Sequence, residues 1–258
     1  DHGAMYGVVE FYKAACARGL KPVIGCEVYI APGSMHDKKP RSDGNYNHLV
    51  LLAENQVGYQ NLMTLSTLGF TQGFYYKPRI DYETLAAYSK GLICLSACLA
   101  GTIPQLLEQR RYDDARKEAV RLNSIFGQGN FYLELQNHSL PGQEEVNRGL
   151  IQISRETGIP LVATNDVHYV RREDAYAHEI LLCVQTGKTM EDSDRMRFET
   201  SEFYLKSDEE MKQLFKDIPE ALENSKKIWE RCNVKLDFDT LHLPEYDVPG
   251  NISPEEYL

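Results

Sequence analysis

The sequence predicts an α/β fold, on three observations. Short apolar runs rich in β-branched residues recur along the chain, amphipathic stretches of helical spacing separate most of them, and polar residues sit at their ends. Strands separated by helices imply parallel pairing through right-handed crossovers, as in a barrel or a doubly wound sheet. No glycine-rich phosphate loop follows a strand, which favours the barrel over a dinucleotide-binding sheet.

The elements follow in order. Residues 4–19 have helical spacing, with Gly19 as the C-cap. Residues 22–30 read as a strand, and 32–46, carrying Pro32, Gly33, Pro40, Asp43 and Gly44, as a polar loop. A second strand at 48–53 precedes a helix at about 57–69, a loop at 70–80 rich in Tyr, Gly and Pro, and a short helix at 81–89. The third strand is Leu92-Ile93-Cys94-Leu95-Ser96, followed by helices near 101–109 and 112–126. The fourth is Phe131-Tyr132-Leu133-Glu134-Leu135, followed by a helix at about 142–157, and 159–163 is the fifth. Helices are expected again over 171–186, 207–216 and 219–233. A domain is expected over 1–240, and 241–258, with Pro244, Pro249 and Pro254, reads as a linker to something further on.

Composition bounds the function. The 258 residues suffice for one large α/β domain, and 42% hydrophobic with 26% charged residues is ordinary for a globular chain. No apolar stretch reaches the roughly eighteen residues of a membrane span, so no membrane role is expected. The six cysteines, Cys16, Cys26, Cys94, Cys98, Cys183 and Cys232, form no C-x-x-C pair and suggest reduced thiols of a cytoplasmic protein. A net charge of −10 argues against nonspecific coating of nucleic acid, without excluding a local basic groove. The chain opens on Asp1-His2-Gly3, which suggests that a segment precedes it.

The segment Thr164-Asn165-Asp166-Val167-His168-Tyr169 is the strongest chemical signal. It follows the fifth apolar run at once, at the strand end where an α/β barrel collects catalytic groups. Asp166 and His168 are two apart, so an extended backbone points both to one side, and a carboxylate with an imidazole suits a divalent metal. A helix N-cap beside a surface histidine accounts for the same pair. His2, Glu27, His48 and Cys98 are further ligand types on or beside predicted strands. Glu27, inside an apolar strand, is either on an exposed edge or buried and paired. Singly, His48 reads as an ordinary strand-start residue and Cys98 as a small core residue. His36, His138, His178 and His242 read as surface or structural residues.

Together these motifs carry a resemblance. Asp1-His2-Gly3-Ala4-Met5-Tyr6-Gly7, Ile24-Gly25-Cys26-Glu27-Val28-Tyr29, His48-Leu49-Val50-Leu51-Leu52-Ala53, Leu95-Ser96-Ala97-Cys98-Leu99 and residues 164–169 resemble successive motifs of the PHP domain. Residues 73–81, 132–136, 202–207 and 221–224 are similar to the C-family bacterial replicative DNA polymerases, the family of the DNA polymerase III alpha subunit, rather than to free-standing PHP enzymes. The resemblance spans essentially the whole chain.

It implies a distorted (β/α)7 barrel with a trinuclear metal site, of zinc, manganese or magnesium, at its mouth. His2, Glu27, His48, Cys98, Asp166 and His168 match family metal ligands, and all but Cys98 are also expected to be catalytic. Asp1 is expected to orient His2. Lys77 and Arg79, near the expected mouth, are suited to hold a phosphate. The family's first strand carries a His-x-His pair and a further acidic ligand upstream of the Asp-His-Gly motif. This chain is therefore expected to lack that strand and to bind metal incompletely and be inactive as given.

The implied function is DNA-directed DNA synthesis by a longer protein, with a metal-dependent 3′–5′ exonuclease or phosphoesterase site in this domain. The implied partners are primer-template DNA, a sliding clamp and a proofreading subunit. Two alternatives stand beside it: a non-catalytic module that stabilises the polymerase and contacts a proofreading partner, and an independent phosphoesterase.

Overall fold

In a computed structural model the described residues are 2–40, 46–241, 243, 248–250 and 252–257. Asp1, Asp43, Gly44, His242, Pro244 and part of the expected linker therefore lie outside them. Six strands are present: β1 (Gly25–Ile30), β2 (Asn47–Ala53), β3 (Arg79–Ile80), β4 (Leu92–Leu95), β5 (Phe131–Leu135) and β6 (Leu161–Ala163). Between and after them lie α1 (Val8–Cys16), α2 (Gln56–Thr71), α3 (Tyr82–Ala87), α4 (Thr102–Glu108), α5 (Tyr112–Phe126) and α6 (Gln143–Thr157). The chain continues through α7 (Ala175–Thr186), α8 (Asp208–Leu214), α9 (Pro219–Arg231) and a single turn, α10 (Pro254–Tyr257), inside the expected linker. No helix among the described residues is long and apolar enough to cross a membrane.

Local chemistry explains most boundaries. Asn55 and Asp81 cap α2 and α3 by accepting from the Gly58 and Thr84 amides at 3.1 and 2.9 Å. Ser207 and Glu210 form a reciprocal capping box at the start of α8, and Pro219 opens α9 where its missing amide costs nothing. In α5 the buried residues Ala115, Ala119, Leu122 and Phe126 recur every three or four positions, and in α6 Val146, Leu150 and Ile153 do the same.

The strands form one sheet in the order β3-β1-β2-β4-β5-β6. Parallel pairing throughout was the expectation, and the structure corrects it. β1 and β2 are antiparallel, with Tyr29 opposite His48 and Glu27 opposite Val50, and β2 is antiparallel to β4 as well. The reason is the connection: the described residues between β1 and β2 contain no crossover helix, and β2 runs back along β1. The remaining pairs, β1 with β3, β4 with β5 and β5 with β6, are parallel. β3 itself falls inside a stretch read as loop. Its two residues pair with the end of β1, and the Ala31 amide donates to the Ile80 carbonyl at 2.8 Å. The described strands form an open mixed sheet, since β3 and β6 end it without pairing to each other.

The two faces of the sheet differ. One side packs Val28, Leu49, Leu51, Phe131, Leu133 and Leu135 into a continuous core with helices α2 to α6. On the other, Ile93, Leu95, Tyr132 and Val162 meet Ile228 and Cys232 of α9 and its end, and Val50 and Leu52 join them. By strand alternation Glu27, Tyr29, His48 and Glu134 belong to this second face.

Close packing of α2 on the turn before β4 depends on glycine. A Cβ at Gly58 would meet the Gly91 carbonyl oxygen at 1.7 Å, a backbone contact that no side-chain rotation relieves. Gly58→Ala is expected to destabilise the domain by about 1–3 kcal/mol through overpacking. Urea unfolding should show a lowered midpoint, and an unchanged midpoint would mean that α2 does not lie this close to Gly91.

Candidate metal centre

The antiparallel turn of β2 brings the ligand-type side chains together. The C-terminal ends of β1, β4, β5 and β6 share one edge of the sheet with the N-terminal end of β2. His48, at the start of β2, thereby faces the loops that follow the other strands. His2 arrives beside β1 through an isolated bridge to Glu27, with the Gly3 amide donating to the Glu27 carbonyl at 2.7 Å. Gly3 has φ +65°, and a Cβ there would strike the Tyr29 ring at 2.6 Å, so only glycine lets the His2 turn lie flat on β1.

His2, Glu27 and His48 place one ligand atom each within 4.8 Å of one another. His2 Nε2 stands 3.4 Å from Glu27 Oε2, and Cys98 Sγ lies 3.8 Å from His48 Nδ1. His48 Nδ1 also touches Glu27 Oε1. The His48 imidazole is thus the direct partner of this buried carboxylate oxygen. Two imidazoles and a carboxylate gathered this closely, with a thiol beside them, are the donor set of a divalent-cation site.

Asp166 and His168 face this cluster from the loop after β6. The rings of His168 and His2 are 6.1 Å apart, and a cleft of about 630 Å³ is lined by His2, Glu27, Asp166 and His168 together with apolar residues such as Phe11 and Val50. Asp166 is no helix N-cap: its backbone has φ +42°, and the helical turn that follows starts only at Arg172. His168 Nδ1 lies 2.8 Å from the Asp166 carbonyl oxygen, which fixes a proton on Nδ1 and leaves Nε2 as the lone-pair nitrogen. Phe198 and Phe203 pack edge-on to its ring, with centroids at 4.8 and 5.4 Å.

The electrostatics match a site built for positive charge. Burial lowers the pKa of His2 and so favours the neutral imidazole that binds metal. Burial would raise the Glu27 carboxyl, but contact with His48 and the other imidazoles outweigh it and hold the group below its ordinary value. Asp166 is raised by burial with Glu27 nearby, and Cys98 is pushed far up by burial and by the Asp166 and Glu27 charges. A cation here would relieve that repulsion.

All six expected ligands thus lie at one edge of the sheet, whereas the expected phosphate pair is split. Lys77 stands with Nζ 5.6 Å from the centre of the Tyr29 ring, which is itself 5.3 Å from His48. Arg79 is turned inward and buried. It donates to the carbonyls of Gly73 at 3.2 Å, Met35 at 3.2 Å and Asp37 at 2.8 Å. The correction has a plain cause: the loops flanking β3 expose carbonyls that no strand pairs with, and a planar five-donor guanidinium satisfies them together. Among the other histidines, His36 is exposed and His138 is fully buried, with Nε2 2.9 Å from the Asn165 carbonyl. His178, on α7, packs against His168 at 5.6 Å.

The sequence reading passed over Glu134. It is buried in β5, where its Oε2 accepts from the Ala97 amide at 3.0 Å and its Oε1 from Gln136 Nε2 at 3.0 Å and from the Thr164 hydroxyl. Burial pushes its pKa up to about 7 despite those donors. A carboxylate inside the apolar run 131–135 was the available signal, the same one that marked Glu27.

The PHP domain family model matches residues 1–138, and the chain belongs to that family. It is 48% identical over 261 residues to the DNA polymerase III subunit alpha of Borreliella burgdorferi, covering 100% of this chain and 23% of that protein. The corresponding subunits of Treponema pallidum and Thermus aquaticus are 46% and 44% identical, again over the whole chain and 22% of each relative. The chain thus spans between a fifth and a quarter of the length of these relatives.

Arg79→Ala is expected to destabilise the domain by roughly 3 kcal/mol or more, because it strands buried carbonyls, whereas Lys77→Ala leaves stability unchanged. Equal unfolding midpoints for the two variants would contradict the buried role of Arg79. Glu134 predicts a pH effect in the metal-free protein. Its folded pKa of about 7 exceeds the ordinary 4.5, so its stabilising share is complete below 4.5 and is lost as pH rises through about 7. Glu134→Gln should remove that loss, on the order of 3 kcal/mol at most. Parallel stability–pH curves for parent and variant would refute it.

Proposed function

We propose that this chain is the PHP domain of a bacterial DNA polymerase III alpha subunit and that it carries a metal-dependent 3′–5′ exonuclease site. The observation that carries the reading is the convergence of His2, Glu27 and His48 within 4.8 Å, with the Cys98 sulfur 3.8 Å from His48 Nδ1. The relatives' names support the polymerase assignment, and in this reading residues 1–240 form the domain and 241–258 lead towards a palm domain. The open sheet would belong to a distorted barrel, completed by a strand outside this chain.

His2, Glu27, His48, Cys98, Asp166 and His168 would hold divalent ions, and the donor set of imidazole, carboxylate and thiol suits zinc or manganese, with magnesium less favoured by the thiol. Such ions would supply Lewis acidity, activating water and screening the phosphate charge. The residues do the rest. Loading the site requires the Cys98 thiol and any protonated Asp166 to give up a proton, so affinity rises with pH. The Nδ1–H contact to the Asp166 carbonyl holds the His168 ring with Nε2 available. Lys77 Nζ, over the Tyr29 ring, would meet a phosphate oxygen of the terminal nucleotide. Water then adds to phosphorus in line, the bond to the 3′ oxygen breaks, that oxygen takes a proton, and a nucleoside 5′-monophosphate leaves.

DNA as substrate, with a sliding clamp and a proofreading subunit as partners in the cytoplasm, belongs to the same proposal. The gathering of two imidazoles, a carboxylate and a thiol favours it over a purely structural module, which needs no such donor set. In the complete protein, metal analysis should find more than one divalent ion per chain. His168→Ala should cut removal of 3′ nucleotides from a primer at least tenfold while leaving primer extension intact. Absence of metal supports the structural module instead, and equal turnover of small phosphate esters supports an independent phosphoesterase.

A further inference from the structure

We propose that Glu134 is a positioning residue for this centre, a buried carboxylate clamp that ties the loop bearing Cys98 to the loop bearing Asp166 and His168. The two loops follow different strands, β4 and β6, and β5 lies between them. Glu134 on β5 reaches both. Its Oε2 takes the Ala97 amide, one residue before Cys98, and its Oε1 takes the Thr164 hydroxyl, two residues before Asp166. Its own amide donates to the Ser96 hydroxyl oxygen at 2.8 Å, and Gln136 Nε2 bridges Oε1 and the Thr164 hydroxyl at 3.0 and 3.3 Å.

Both loops need holding. Ala97 has φ +65° and Asp166 φ +42°, left-handed conformations that L residues with a Cβ adopt at a cost. Such turns persist where the surroundings over-determine them, and Glu134 supplies a fixed partner to each side. A carboxylate is the one side chain of this length that accepts at both ends. Glutamine has the same shape, but its amide end would confront either the Ala97 N–H or the Gln136 Nε2–H, donor against donor. A second support lies deeper: His138, stacked on Phe203 at 4.1 Å, holds the Asn165 carbonyl from behind. The clamp therefore sets the spacing between the Cys98 sulfur and the Asp166 carboxylate before any ion arrives.

The proposal rests on the metal-binding reading for its two cobalt readouts only. In the complete protein, parent, Glu134→Gln, Thr164→Val and Thr164→Ser are compared by cobalt(II) titration, by the thiolate-to-cobalt absorption of Cys98, by Cys98 alkylation without metal and by urea unfolding. Glu134→Gln and Thr164→Val should weaken cobalt binding roughly 10- to 100-fold and diminish the thiolate band, and Thr164→Ser should restore both. Cys98 should be alkylated faster in the first two variants, with no fall in the neutral-pH unfolding midpoint of Glu134→Gln, an outcome that a merely structural role would not give. Binding, band and alkylation all equal to the parent overturn the clamp. If the parent binds no cobalt yet alkylation quickens in the variants, the metal reading fails and the clamp stands; if alkylation is also unchanged, both fall. Should Glu134→Gln not fold, Thr164→Val decides alone.

Discussion

A carboxylate placed on the inner face of β1 is the constraint to which the site answers. Glu27 is largely removed from water, and burial alone would neutralise it. Two imidazoles approach from opposite sides, His2 from the turn bridged to β1 and His48 from the antiparallel strand β2. Their contact keeps the carboxyl ionised. Cys98 and Asp166, both pushed towards their protonated forms, crowd further acidic groups into the same place.

Holding these groups in place requires a layer of buried polar side chains beneath them. Arg79 gathers the carbonyls of the loops beside β3, and Asp81 accepts the Met35 amide at 3.0 Å while capping α3. Glu134 and His138 support the segment 164–168 from below, and the His168 amide donates to the Phe203 carbonyl at 2.8 Å. Each of these groups would be costly to bury alone. Because each satisfies at least one group from a remote segment, the loops around the cleft are tied together. Ligand geometry is then a property of the whole edge of the sheet and not of any single loop.

The chain belongs to the PHP family and is similar over its whole length to DNA polymerase III alpha subunits. The separation of Lys77 from Arg79 shows how the domain divides neighbouring cations. One stays over the Tyr29 ring, and the other is absorbed into backbone satisfaction.

Much of this was readable from residue order. The spacing of Ala115, Ala119, Leu122 and Phe126 marks a helix because a 3.6-residue period puts them on one side, and Asn55, Asp81 and Ser207 mark helix starts by capping chemistry. The ligand types His2, Glu27, His48, Cys98, Asp166 and His168 stand out because they adjoin apolar runs. The direction of β2 was misread although its signal was present: the polar stretch 32–46 between the first two strands carries no helical pattern, and without a crossover helix the second strand returns antiparallel. That direction alone brings His48 to the end of the sheet where β1, β4, β5 and β6 deliver their loops. The fates of Arg79 and Glu134 were decided only in three dimensions, because the carbonyls and donors that claim them come from segments the sequence keeps apart.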